Sequence, residues 1–255
     1  MTAWTGRTVF VTGATAGFGA AIARRYAAQG ARLVLLGRRA DRLAELAEEM
    51  VVPVHRLALD VRDRAAVEAA VAGLPAEFAA VDVLVNNAGL ALGLEPADRA
   101  SLDDWEVMVD TNLKGLMYVT RAVLPGMVAR DCGHVVNLGS TAGTYPYPGA
   151  NAYGATKAAV AQFSLNLLSD LVRTRVRVTN VEPGLCGGSE FSTVRFHGDS
   201  DRAAKVYEGT TPLTAEDVAE AVVWATSLPA HVNINRVEMM PTCQAPAGLT
   251  VYRRG

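Results

Sequence analysis

The chain has 255 residues, of which 50% are hydrophobic, and a formal net charge of −2. That length and apolar content permit a large core in one α/β domain, and the absence of a long basic run excludes a nucleic-acid footprint. Cys132, Cys186 and Cys243 are scattered, with no C-x-x-C spacing, which argues against a disulfide framework or a zinc site and suits a reducing cytosol. Met1 to Arg7 lacks the charged-then-apolar layout of a signal peptide and runs into the apolar strand Val9–Val11. A turn carrying Gly13, Gly17 and Gly19 follows, then a helical pattern around Ile22–Tyr26. Leu33–Leu36 reads as a second buried strand closed by Gly37-Arg38-Arg39, and Asp41–Met50 as an amphipathic helix. Val54–Leu59 makes a third strand ending at Asp60-Val61, after which Asp63 caps a helix over Arg64–Ala72.

Val81–Val85 is a fourth strand closed by Asn86-Asn87-Ala88-Gly89. Asp103–Ala129 reads as two helices broken near Thr111-Asn112, and Gly133–Leu138 as a fifth strand delivering Ser140. Asn151–Arg173 forms a helix, and Val176–Val181 a sixth strand ending at Pro183-Gly184. Gly184–Pro212 is the least regular part. Thr214 opens a capping box before a helix to Ser227, and a short strand near Ile234–Met239 precedes an irregular tail. Alternating strands and helices, with near-continuously apolar strands, predict one doubly wound parallel sheet covered on both faces. No apolar run is long enough to span a membrane, so the cytoplasm is the expected location.

In such sheets ligands bind outside the carboxyl ends of the strands, and the unusual residues fall there. The glycines after the first strand let backbone approach a pyrophosphate at a helix N-terminus. At the end of the second strand, where a carboxylate would hold a ribose 2′-hydroxyl, the chain has Arg38 and Arg39; two guanidiniums suit a 2′-phosphate and favour NADP over NAD. Asp60 and Asn87 line the adenosine half. Tyr153 and Lys157 stand one helical turn apart, so both point into one pocket. An ammonium beside a phenol that titrates near ~10 pulls it down; reaching about 7 takes roughly 4 kcal/mol. Such a phenol does acid–base work at neutral pH. Ser140 can hydrogen-bond a substrate oxygen, and Asn112 at the helix break can hold a water. His134 and His231 read as structural, and Met239-Met240 as core or subunit interface.

Together, Thr12-Gly13-x-x-x-Gly17-x-Gly19, Asn86-Asn87-Ala88-Gly89, Asn112, Ser140, Tyr153-x-x-x-Lys157 and Pro183-Gly184 make the chain resemble the classical short-chain dehydrogenase/reductase family over essentially its whole length. The resemblance implies a single Rossmann-type domain over residues 1–255, with residues 184–212 as a substrate lid. It implies Tyr153 as proton donor or acceptor, Ser140 as orienter of the substrate oxygen, Lys157 as the group that lowers the tyrosine and holds the nicotinamide ribose, and Asn112 in a water relay. NADP would be held by Gly13, Thr15, Gly17, Phe18, Gly19, Arg38, Arg39, Asp60, Val61, Asn87, Tyr153, Lys157, Pro183, Gly184, Leu185 and Ser189. Pro229–Asn235, Glu238–Pro241 and Glu182–Phe191 narrow the likeness to the NADP-dependent 3-hydroxy acid dehydrogenases, which act on serine, L-allo-threonine and 3-hydroxypropionate-type substrates. Reductases of sulfoacetaldehyde or another small aldehyde are the alternative, and a non-catalytic dinucleotide-binding protein a further one. Tyr147 and Arg195 are the substrate candidates. The family habit implies a homotetramer or homodimer, with the C-terminal segment able to reach a neighbouring site.

Overall fold

A computed structural model describes residues 4–246. Seven parallel strands form one sheet in the order β3-β2-β1-β4-β5-β6-β7. They are β1 (Thr8–Thr12), β2 (Arg32–Gly37), β3 (Val54–Ala58), β4 (Val81–Asn86), β5 (Gly133–Leu138), β6 (Val176–Pro183) and β7 (Arg236–Met239). The helices are α1 (Gly17–Ala27), α2 (Ala40–Glu48), α3 (Arg64–Ala72), α4 (Ala76–Ala79), α5 (Leu102–Val109), α6 (Leu116–Ala129), α7 (Asn151–Asp170), α8 (Phe191–Arg195), α9 (Ser200–Lys205) and α10 (Ala215–Ser227). The doubly wound parallel sheet expected from the sequence is present. No helix among the described residues is long and apolar enough to cross a membrane.

Successive strand side chains point to opposite faces, and the apolar runs therefore feed two cores. Val9, Val11, Leu33 and Leu35 join Ile22 and Tyr26 of α1 and Val218 and Val222 of α10 on one face. Phe10, Val34 and Leu36 join Val67 of α3, Val119, Val123 and Met127 of α6 and Leu167 of α7 on the other. Each such side chain removed from water contributes about 1.5–3 kcal/mol, so both faces are held independently.

Local signals placed several ends correctly. Asp63 accepts from the Ala66 N–H, and Thr214 and Asp217 form the reciprocal capping box of α10. Elsewhere the bounds move. The break expected near Thr111-Asn112 is a π-helical turn, Asp110–Gly115, which joins α5 and α6 without interrupting the helical path. The helix of Tyr153 ends at Asp170, before the expected Arg173, because Thr174 turns back onto the Leu171 carbonyl. The last strand begins at Arg236, two residues later than expected, because Asn233 caps β6 laterally by bonding the Val178 N–H and carbonyl. The irregular 184–212 stretch contains the short helices α8 and α9. Residues 247–255, including most of the tail expected to reach a neighbour, lie outside the described residues.

His134 in β5 is 1% exposed, with Nε2 at 2.7 Å from the Thr179 hydroxyl. Burial, aided by the Arg177 charge, holds its imidazole down to about 3. In the unfolded chain the ring takes a proton near 6.5. From that pH down to about 3 the unfolded state therefore binds a proton that the folded state refuses, and stability falls as pH falls, by about 1.4 kcal/mol per pH unit. Urea unfolding at pH 7 and pH 4.5 is expected to show a smaller acid loss for His134→Asn than for the parent; equal losses would place the acid sensitivity elsewhere.

Candidate active site

The strand order reverses direction between β1 and β4, and the ends of these two strands are tied together there. The Thr12 hydroxyl accepts from the Asn87 and Ala88 N–H groups, each at 2.9 Å, and donates to the Val85 carbonyl. The Asn87 amide donates back to the Thr12 and Gly13 carbonyls at 2.9 and 3.1 Å. This strap leaves no room for a side chain at Gly13 or Gly19. A Cβ on Gly19 would overlap the Gly13 carbonyl and come within 2.6 Å of the Asn87 amide nitrogen. Gly13 has a φ of +64°, and its Cβ would stand 2.9 Å from the Ala88 Cα. The turn thus presents bare backbone at Gly13 and Gly19, where it opens on the N-terminus of α1.

A cleft of about 630 Å³ runs from this turn along the carboxyl ends of the strands. It is lined by Thr15, Phe18, Arg38, Arg39, Asp60, Val61 and Asn87 toward one end, and by Ser140, Tyr153, Lys157, Pro183, Gly184 and Leu185 toward the other. Of the residues expected from the sequence, all but Gly19 and Asn112 therefore line one cavity. The Asn112 side chain is buried and engaged, its amide bonding both the N–H and carbonyl of Leu90 and the Thr156 hydroxyl. Its amide thus bridges the Leu90 loop and α7 from within the π turn. Ser189 lies against Gly17, where a Cβ would meet it at 3.3 Å, so it covers the glycine turn.

Asp60 is gripped by Arg62 at 2.7 and 3.0 Å. Burial pushes its carboxyl up, but the Arg62 hydrogen bonds outweigh that and hold it below the ordinary range, with Arg38 adding its charge. Asp60 is thus an anion in the cleft wall beside Arg38 and Val61.

At the other end α7 buries both Tyr153 and Lys157. The Lys157 Nζ donates to the Leu138 carbonyl at 2.7 Å and lies 5.8 Å from the Tyr153 ring centre. Burial lowers the lysine to about 8. It raises the tyrosine to about 12, against the opposing pull of Ser140 and Arg195. The expected lowering of the phenol is overturned in this structure: desolvation outweighs the neighbouring charges. Tyr153 is a neutral phenol, poised as a proton donor. Ser140 sits at the end of β5, its hydroxyl accepting from the Ala142 N–H.

Arg195 of α8, a weak candidate from sequence, occupies the heart of this end. It donates to the Tyr147 hydroxyl at 2.8 Å and stacks 5.2 Å from the Tyr153 ring centre and 5.1 Å from that of Phe191. Its Nε is buried without a partner. The neighbouring Cys186 thiol is pushed up to about 12 by burial, which leaves it inert. Two participants escaped the sequence reading. Gln244 accepts from the Leu185 N–H at 2.7 Å and closes the cleft from the C-terminal side. Glu190 pairs with Arg39. Neither belongs to a spacing pattern that could have announced it.

A doubly wound sheet, a glycine cradle at the point of strand reversal and a buried Tyr–Lys pair beside a serine are the frame of a dinucleotide-dependent oxidoreductase. A family model described as short chain dehydrogenase matches residues 7–197, and the chain belongs to that family. The NADP-dependent 3-hydroxy acid dehydrogenase YdfG of Salmonella typhi is 62% identical over 245 residues, covering 96% of this chain and 99% of that protein. Sulfoacetaldehyde reductase 2 of Chromohalobacter salexigens is 53% identical over 248 residues, covering 96% and 98%. The closed form of serine dehydrogenase complexed with NADP+ matches with a TM-score of 0.95 and 61% identity, over 97% of this chain and 100% of that one.

Gly19→Ala forces the Gly13 carbonyl or the Asn87 amide to move. Overpacking of this kind costs about 1–3 kcal/mol. In a domain of this size each kilocalorie lowers Tm by about 2–4 °C. Calorimetry is expected to find a drop of several degrees; an unchanged Tm would show that the strap yields freely.

Proposed function

We propose that the protein is an NADP-dependent oxidoreductase that moves a hydride between the nicotinamide and the hydroxyl- or carbonyl-bearing carbon of a small 3-hydroxy acid of the serine, L-allo-threonine or 3-hydroxypropionate type. The observation that carries the reading is the meeting of Ser140, Tyr153, Lys157 and Arg195 at one end of a cleft whose other end is a glycine turn flanked by Arg38 and Arg39. The names of the relatives, a 3-hydroxy acid dehydrogenase and a serine dehydrogenase, support the same substrate class.

The residues fit the cofactor. Gly13, Thr15, Gly17, Phe18 and Gly19, with Ser189 above them, would hold the pyrophosphate through backbone N–H groups. Arg38 and Arg39 would take the 2′-phosphate, Asp60, Val61 and Asn87 would line the adenosine half, and Pro183, Gly184 and Leu185 would bound the nicotinamide. NADP, when bound, supplies or accepts the hydride. The protein's own part is binding, orientation and proton handling. Ser140 hydrogen-bonds the substrate oxygen, and Tyr153 delivers a proton to it during reduction or removes one during oxidation. Lys157 stabilises whatever negative charge forms on the phenol and holds the ribose. The carbonyls of the π turn at Asn112 offer the lysine a route to water.

Arg195 binds the substrate's acid group, Tyr147 orients its guanidinium, and the 184–212 segment carrying Arg195 acts as the lid. A guanidinium with an unpartnered buried Nε suits a carboxylate or a sulfonate. The 53% identity to a sulfoacetaldehyde reductase therefore supports a second reading, reduction of a small sulfonated aldehyde. Exposed Leu165 and Val172 at the α7 end and Trp224 on α10 suit burial in a homotetramer or homodimer, which we place in the cytoplasm.

Tyr153→Phe is expected to keep NADPH binding and lose about 10²–10⁴-fold in turnover. Substantial turnover in that variant would sink the assignment. Because the phenol is held near 12, oxidation is expected to accelerate steadily with pH above neutrality while it ionises. Serine, 3-hydroxypropionate and isethionate compared in one NADP-reduction assay decide the substrate. Activity with the two carboxylates supports the first reading, a preference for isethionate the second, and silence with all three refutes both. Arg195→Ala should raise the Michaelis constant for every acid substrate.

A further inference from the structure

We infer that Glu190 is a specificity-determining residue for the cofactor: its carboxylate holds the face of Arg39 that a 2′-phosphate requires, and the phosphate must displace it to bind. The inference rests on the NADP reading above.

The pairing is a fork on a fork. Arg39 Nη1 donates to Glu190 Oε1 at 3.2 Å and Nη2 to Oε2 at 3.0 Å, the geometry in which a guanidinium recognises a carboxylate or a phosphate. The partners are 151 residues apart. Arg39 follows β2 at the adenosine end of the cleft, whereas Glu190 immediately precedes α8 in the segment assigned as the lid. No carboxylate stands in the Gly37-Arg38-Arg39 turn itself, yet the lid brings one to it.

Arg39 does not depend on Glu190 for its place. Its Nη2 also donates to the Thr15 hydroxyl at 3.1 Å, which ties the guanidinium to the glycine turn. Removing the Glu190 charge therefore leaves the cation at the cleft and deletes its internal anion. A dianionic phosphate and a carboxylate compete for one planar edge and repel each other. The Arg39 and Glu190 side chains are 41% and 52% exposed, and pairs this wet shift equilibria by up to about fivefold. Glu190 is thus weak enough to yield to a 2′-phosphate and strong enough to weaken its binding. A cofactor with a bare 2′-hydroxyl carries no second charge to compete for Arg39, so the effect is confined to the phosphorylated form.

The test measures dissociation constants of NADPH, NADH, adenosine 2′-monophosphate and adenosine 5′-monophosphate for the intact protein and Glu190→Gln, by cofactor fluorescence and calorimetry. At low salt the variant is expected to bind NADPH and adenosine 2′-monophosphate about two- to fivefold more tightly, with the other two ligands unmoved and the gain shrinking as salt rises. Unchanged or weaker binding of the 2′-phosphorylated ligands overturns the inference, as does an equal gain for NADH. A parent protein that binds NADPH no better than NADH refutes the NADP reading and the inference with it; a clear NADPH preference left unmoved by Glu190→Gln refutes the inference alone.

Discussion

The strap between Thr12 and the Asn87-Ala88 peptide is the constraint on which the site rests. One hydroxyl satisfies two consecutive N–H groups that leave β4, and one amide satisfies two carbonyls that leave β1. Buried backbone groups left unpaired here would each cost about 1–3 kcal/mol. The strap therefore does more than close a gap in the sheet. It fixes the glycine turn at a separation that leaves no room for a Cβ at Gly13 or Gly19. It also sets the path toward Gly89, whose Cβ would stand 3.2 Å from Asn112 and 3.5 Å from the Lys157 nitrogen. Cradle and proton-handling groups are thus referenced to the same few hydrogen bonds.

At the other end, burial decides the chemistry. Moving a tyrosine from about 10 to about 12 is worth about 2.7 kcal/mol against the phenolate, and the lysine at 5.8 Å does not offset it. Lys157 is itself weakened as a cation by the same burial. Two groups that would each prefer water to carry charge are packed on one helix face, and both lean toward neutrality. Charge brought into this space, whether a developing alkoxide or a bound cation, finds few competing ions and a low dielectric.

How much of this could be read from the sequence follows from the range of each interaction. Apolar runs with turn signals specify strands because a parallel strand is buried on both faces, and the predicted strands all appear. Caps such as Asp63 and Thr214 act within one turn and were legible for that reason. The π turn was readable as a disturbance at Thr111-Asn112 but not as its true form, since its i→i+5 pairing leaves no periodic mark. Ser140, Asn87, Asp60 and the arginine pair were legible because they follow strand ends, and Tyr153 with Lys157 because an i, i+4 spacing places both on one helix face. Their electrostatics were not, because the burial that raises Tyr153 against Ser140 and Arg195 arises from packing distant in sequence. Arg39–Glu190 and Leu185–Gln244 join residues with no shared pattern and emerge only with the fold.

Those long-range contacts bind the two ends of the cleft to one short helix. The residue before α8 holds Arg39 at the adenosine end. Phe191 lies edge-on to Tyr153, with ring centres 5.9 Å apart, and Arg195 stacks on the same ring from the last position of the helix. A five-residue helix has little stability of its own, so these outside contacts and the bond from the Gly93 N–H to the Arg195 carbonyl keep it in place.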